Sequence, residues 1–273
     1  MANTNLDVHD DRSVELCGVS FAALTERQVV DNIIEGWERG VGGWVSTPNV
    51  QQLRLISTNQ SVRSLVNDAS LAVADGMPLI WAAAIAGNPL PERVAGSSLV
   101  WSLARSAATA GATIFLLGGD TGVAERAGAR LQAEISGVRV AGTYCPAMGF
   151  EHDPREIEHI RQLLLACRPD LVYVGLGFPK QERLIQRHLR DLLPDTWFLG
   201  VGISLSFISG DRARAPTWMQ RLGLEWTHRL LSDPARLYRR YLIDGIPFTL
   251  QLLGGVAARR VRDRIVAGRV PPA

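Results

Sequence analysis

Lysine is all but missing from this chain. Lys180 is the only one, so nearly every positive charge is an arginine. Cysteine is scarce too. Cys17, Cys145 and Cys167 are odd in number and far apart, which excludes a disulfide framework and a cysteine zinc site and points to a reducing compartment. The histidines His9, His152, His159, His188 and His228 fall on expected helices or polar loops without ligand spacing, so no metal centre is expected. Glu151-His152-Asp153-Pro154 reads as a helix start rather than a divalent-cation clamp. The acidic, polar N-terminus lacks the basic-then-apolar order of a secretory leader, and a cytoplasmic protein is expected. There is no Walker loop and no Gly-x-Gly-x-x-Gly after the first strand, which disfavours NAD and leaves no cofactor expected. The longest apolar stretch, 242–258, is interrupted by Asp244, Pro247, Gln251 and two glycines. It reads as a segment packed into the core rather than a spanning helix.

What is present is a chain of 273 residues with 47% hydrophobic content, enough to build a substantial core without staples. The net charge of +2 hides a division: residues 1–211 sum to −6 and residues 212–273 to +8. The expected organisation follows that division, with an α/β catalytic domain over 1–211 and a helical appendage over 212–273. A basic appendage suits an anionic partner, either a membrane surface or nucleic acid.

Short apolar runs alternate with helical patterns. The runs lie at 43–46, 70–74, 113–117, 138–142, 171–174 and 197–201. Runs of this length separated by helices predict a mostly parallel, Rossmann-like sheet covered by helices on both faces. Helices are expected at 123–135 and at 154–167, where Asp153 caps and Pro154 takes the first helical position. In such sheets ligands gather outside the carboxyl ends of the strands, so the residues just after each run are the candidates for chemistry.

Asp75 is foremost among them. It ends Ser-Leu-Ala-Val-Ala and precedes Gly76-Met77-Pro78, so a carboxylate interrupts a segment that otherwise reads as a buried strand. Burial disfavours the charged form and raises the pKa, which suits a general base; the competing role is a cap on an Asp-Gly turn. Gly118-Gly119 after the third run allows close backbone approach and precedes a helix, a plausible phosphate cradle, although strand packing asks for glycine in the same way. Lys180, followed by Gln181 and Glu182 in the first turn of a helix, is positioned in sequence to neutralise a departing phosphate, or else is solvated beside a helix dipole.

Taken together these strand-end motifs resemble one family. Thr47-Pro48-Asn49, Ala74-Asp75-Gly76-Met77-Pro78, Glu92-Arg93-Val94-Ala95-Gly96, Phe115-Leu116-Leu117-Gly118-Gly119, the stretch 175–182 and the stretch 214–226 are similar, in order and spacing, to the WecG/TagA/CpsF glycosyltransferases over roughly residues 15–245. The resemblance implies an inverting enzyme, working without a metal, that moves a hexose or N-acetylhexosamine of the ManNAc type from a UDP-sugar to a polyprenyl-diphosphate-linked sugar in bacterial cell-envelope or exopolysaccharide assembly. It implies Asp75 as the base on the acceptor hydroxyl, with Thr47, Asn49, Arg93 and Gln181 lining the pocket.

It further implies a basic appendage that reaches the inner face of the cell membrane as a peripheral element. The arginines concerned are Arg214, Arg221, Arg229, Arg236, Arg239 and Arg240, interleaved with Tyr238 and Tyr241 in an interfacial pattern. At about 1 kcal/mol per arginine near an anionic leaflet, a handful of contacts yields reversible attachment. An exposed amphipathic appendage of this kind also suits self-association into a homo-oligomer. Two positions depart from the family pattern: Ser98 and Ser206 stand where an acidic residue is common, which bears on the donor sugar. The rival readings are a nucleotide-sugar epimerase or dehydrogenase, which needs a bound NAD, and a nucleic-acid-binding module, which would bind with steep salt dependence.

Overall fold

The structure is a computed structural model that describes residues 13–221 and 223–267, without the side chains of Arg221, Arg236, Val266 and Ala267. The six expected runs all become strands of one parallel sheet. In chain order the elements begin with β1 (Ser13–Leu16), β2 (Val19–Ala22), α1 (Glu26–Glu38), β3 (Gly43–Ser46), α2 (Val50–Thr58), α3 (Gln60–Asn67), β4 (Leu71–Ala72), α4 (Met77–Ala86) and α5 (Gly96–Ala110). They continue with β5 (Thr113–Gly118), α6 (Val123–Glu134), β6 (Arg139–Tyr144), α7 (Pro154–Cys167), β7 (Leu171–Gly175), α8 (Lys180–Leu184), β8 (Trp197–Gly200) and α9 (Ser204–Ser209). The last part holds α10 (Thr217–Arg221), α11 (Glu225–Ser232), α12 (Pro234–Tyr238), a π-helical stretch Arg239–Gly245, and α13 (Ile246–Ala267).

The sheet runs β4-β3-β8-β7-β5-β6, all parallel, and β1 and β2 pair apart from it as an antiparallel hairpin. Both faces of the sheet are dry. On one, Ile114, Leu116, Tyr173 and Leu199 pack with residues of α1, α5 and α6; on the other, Trp44, Phe115, Val172 and Phe198 pack with Ile160 and Leu164 of α7. Burial on both sides is why these strands read as continuous apolar runs rather than alternating ones. A third cluster joins the hairpin to α2, α3 and α4 and takes in Leu252 of α13.

Several of the helices begin where a side chain satisfies their free N–H groups. Thr25 and Gln28 form a capping box on α1, Asn49 and Gln52 form another on α2, and Asp153 caps α7 ahead of Pro154. The hairpin turn is Cys17-Gly18, with φ of 53° and 77°, the left-handed pair a two-residue turn demands.

The 242–258 stretch corrects an expectation. It lies within a helical segment of 27 residues, Arg239–Ile265, whose most apolar 18-residue window has mean hydropathy 1.3, enough by length and composition to cross a membrane. Only 11% of its most apolar window is buried. Leu252, Phe248, Leu253 and Val256 pack onto the α4 side of the molecule, whereas Ile243, Ile246 and Leu250 face outward. A helix resting one stripe on α4 cannot bury all of a nearly uniform apolar surface.

Candidate active site

At the carboxyl end of the sheet, where β3 and β8 lie side by side, a cavity of about 820 Å³ opens. Every strand beside it contributes its following loop: Thr47 and Asn49 after β3, Asp75 after β4, Gly177, Phe178 and Gln181 after β7, and Gly200–Ser204 after β8. The roof comes from the C-terminal helices, through Glu225, His228, Arg229, Arg240 and Tyr241. A crevice at this rim is the expected ligand position for an open α/β sheet.

The wall is held by short polar links. The Thr47 hydroxyl lies 3.4 Å from the Gly200 carbonyl, which ties the β3 and β8 loops together. Asn49 spends its side-chain oxygen on the N–H groups of Gln51 and Gln52, at 3.1 and 3.2 Å. Gln181 is 2% exposed and acts as a staple: its Oε1 accepts from the N–H of Gly177 (3.2 Å) and of Gly202 (3.1 Å), and its Nε2 donates to Glu182 Oε1 (2.9 Å). Glu182 lies behind Gln181 at 1% exposure, off the cavity wall, with Oε2 unpartnered. Burial pushes its carboxyl up to about 7, with the Gln181 bond opposing.

Asp75 reaches the cavity while most of its surroundings are protein. Its N–H is bonded to the Pro48 carbonyl at 3.0 Å, and α4 starts at Met77 after Gly76, which has no side chain to cap it. Burial raises the carboxyl to about 6, against the pull of Arg93, with Glu225 pushing it further up and Arg229 and Arg214 drawing it down. Glu225 sits between the cations, 3.4 Å from Arg93 Nη1 and 3.9 Å from Arg214 Nε. Arg214 also donates to the Ser97 carbonyl (3.2 Å) and to the Ser98 hydroxyl (3.0 Å). Ser98, one of the two departures from the family pattern, therefore anchors an arginine. The result is a carboxyl poised near neutrality, ringed by guanidinium groups and one second carboxylate.

The structure brings Thr47, Asn49, Asp75, Gln181, Arg229 and Arg240 to this one cavity, and Arg93 lines an adjoining one. It does not bring Gly118, Gly119 or Lys180 there. Gly118, at φ +115°, is a packing glycine: a Cβ on it would stand 2.6 Å from the Gly175 backbone, and one on Gly119 would strike Val123. Lys180 is turned to Glu151, with which it forms an ion pair. Arg239 is exposed and off the wall, and the side chains of Arg221 and Arg236 lie outside the described residues.

Several wall residues had not been singled out, among them Gly96, Ser97, Ser204, Arg212, Glu225 and His228. Only Gly96 and Glu225 fell inside the motifs read from the sequence. Ser97 and Ser204 sit in the first turns of α5 and α9, Arg212 in the bend after α9 and His228 within α11, and none carries a functional signal in its local sequence. Among the described residues no three His, Cys, Asp or Glu side chains come together as a metal ion would need.

The family model for the Glycosyl transferase WecG/TagA/CpsF family matches residues 14–262. The chain belongs to that family. This glycosyltransferase is 31% identical over 232 residues to an N-acetylglucosaminyldiphosphoundecaprenol N-acetyl-beta-D-mannosaminyltransferase of Staphylococcus aureus (strain MW2), covering 83% of this chain and 87% of the relative. It is also 31% identical over 205 residues to the protein of the same name from Bacillus spizizenii, covering 75% and 77%. The matched span takes in the C-terminal helices as well as the sheet, so the arginines over the cavity belong to the family region of this glycosyltransferase.

Proposed function

We propose that this glycosyltransferase moves a hexose or N-acetylhexosamine of the ManNAc type from a UDP-sugar to a polyprenyl-diphosphate-linked sugar, with inversion and with Asp75 as the base. The observation that carries the reading is the Asp75 carboxyl, raised to about 6 at the floor of a cavity roofed by arginines. The names of the relatives in Staphylococcus aureus and Bacillus spizizenii support the lipid-linked acceptor and the mannosamine-type sugar.

In the proposed step the acceptor hydroxyl gives its proton to Asp75 as its oxygen bonds to the anomeric carbon. The bond from that carbon to the phosphate oxygen breaks on the opposite face, and UDP departs with the electron pair. The developing diphosphate charge is met by Arg212, Arg229 and Arg240 and by the backbone around Gly200 and Gly202, all of which border the cavity. Gln181, bonded to the N–H groups of Gly177 and Gly202, is the positioning residue that fixes those loops. Residues 212–273 act in this reading as the appendage that closes the site over a catalytic domain at 1–211. The outward apolar residues of the last helix and the basic excess of that quarter support peripheral attachment to the inner face of the cell membrane.

The test is transfer from a panel of UDP-sugars to N-acetylglucosamine-diphosphate-prenyl acceptors, with product stereochemistry read by NMR. Transfer from UDP-N-acetylmannosamine with inversion is expected. Retention of configuration, or no transfer to any lipid diphosphate, overturns the reading.

A further inference from the structure

Beside the polar cavity lies a second, apolar one of about 350 Å³, and the two share Asp75, Glu225, Arg229, Arg240 and Tyr241 as a common wall. Moving away from Asp75 the chemistry changes within one helix turn: Met77, Pro78 and Trp81 of α4 form one bank, and Leu224, Ile246 and Leu250 form the other. Trp226 closes the groove against Tyr241, their rings edge-to-face at 6.2 Å. Four of these apolar residues are open to solvent: Trp81 at 46%, Trp226 at 36%, Ile246 at 43% and Leu250 at 65%. A concave apolar trough with exposed lips, entered from a catalytic carboxyl and flanked at that end by arginines, is built for a ligand that is anionic at one end and hydrocarbon at the other.

We propose, resting on the function inferred above, that this trough between α4 and α13 holds the first isoprene units of the acceptor lipid. Arg93, which lines the trough and not the polar cavity, then meets the acceptor's own diphosphate where polar wall gives way to apolar wall, and Arg229 and Arg240 stay on the donor side of the shared wall. Charge complementarity and continuity with the Asp75 cavity select this occupant over a peptide strand or a second copy of the chain. The outward lips, in line with the exposed apolar face of α13, let the rest of the tail pass into a bilayer. The trough thus makes the enzyme read the lipid as well as the sugar it bears.

The experiment compares two acceptors in detergent, without a bilayer: N-acetylglucosamine-diphosphate on an undecaprenyl chain and the same head group on a single isoprene. The quantity read is the ratio of kcat/KM for long over short chain. Trp81→Glu and, at a more exposed position that the fold tolerates, Leu250→Glu are expected to lower that ratio about tenfold or more, because a charge is placed against hydrocarbon. Val261→Glu, on the exposed face of α13 outside the trough, is expected to keep the ratio while weakening sedimentation with anionic vesicles. A ratio in both trough variants within twofold of wild type, or an equal fall in Val261→Glu, overturns the proposal. Absence of transfer to either acceptor by the wild-type enzyme overturns instead the function on which it rests.

Discussion

Replacing Asp75 by asparagine should damage catalysis and strengthen the fold at the same time. The carboxyl is raised from 3.8 to about 6, chiefly by burial, so the folded state holds its proton across a window where the unfolded chain has lost it. A group raised in this way contributes stability that is fully present below pH 4 and is lost as pH climbs through 6. A shift of about two units corresponds to roughly 3 kcal/mol. Asparagine carries no charge at any pH, so the variant should match wild type near pH 4 and exceed it by up to about 3 kcal/mol at pH 8. For a chain of this size that is several degrees in Tm, at about 2–4 °C per kcal/mol. Turnover should meanwhile fall by about 10²–10⁴, the usual contribution of a general base. The assay pairs thermal unfolding at pH 4.5 and 8 with transfer rates at saturating donor. Wild-type kcat should also lose its activity below about pH 6 as the base is protonated. If the variant turns over within tenfold of wild type, or if the Tm difference is the same at both pH values, the assignment of a dry base to Asp75 is wrong.

Three other perturbations follow from the same geometry. Glu225→Gln removes the carboxylate that pushes Asp75 up and leaves Arg93 and Arg214 to draw it down, so the acidic limb of the kcat/KM profile should move to lower pH; an upward move would contradict the charge arrangement. Glu182→Gln should raise stability by roughly 3 kcal/mol at pH 8 and by far less at pH 5, because the native carboxyl is raised to about 7 and its stabilising contribution is lost as pH rises through that value; equal unfolding midpoints in urea at both pH values would refute it. Lys180→Ala severs only a half-exposed pair with Glu151, worth about 1 kcal/mol at most, and should leave transfer within about threefold; a loss beyond tenfold would return Lys180 to the departing phosphate.

The parallel sheet was legible because each of its strands is buried on both faces, so hydrophobicity alone marks 113–117 or 171–174 without any need of tertiary knowledge. The hairpin at 13–22 was not. Its strands are four residues each and their alternation is visible only once Cys17-Gly18 is seen as a two-residue turn. Asp75 was legible because a charge at the end of an apolar strand is conspicuous. Gly118 and Lys180 misled for opposite reasons: close strand packing and ligand approach both demand glycine, and a lysine at a loop tip can turn to either side. Nothing local marks Arg212 or His228 as wall residues, since what makes them so is a roof folded back over the sheet from more than a hundred residues beyond Asp75.

That roof resolves the contradiction between a base that must be dry and a leaving group that must be solvated by charge. A carboxyl at the rim of an uncovered sheet would face water and keep a pKa near 4, too weak a base to be useful, and guanidinium groups supplied from the sheet side alone would depress it further. Here three of the four arginines described on the cavity wall arrive from the C-terminal quarter, Arg229 on α11, Arg240 on the π-helical stretch that follows α12 and Arg212 in the bend after α9, while Arg54 comes from α2. The π-helical stretch is shaped by that contact: Gln51 of α2 donates to the Arg240 carbonyl at 2.6 Å, and a Cβ on Gly245 would stand 2.2 Å from the Gln51 amide nitrogen. Glu225, carried on the same roof, offsets the arginines nearest Asp75 and leaves burial as the larger effect on its proton. The basic excess of the last quarter of the chain therefore has a use inside the cavity as well as outside it. Any variant that detaches α11 from Arg93 should lower the pKa of Asp75 through solvation before it alters the fold of the sheet.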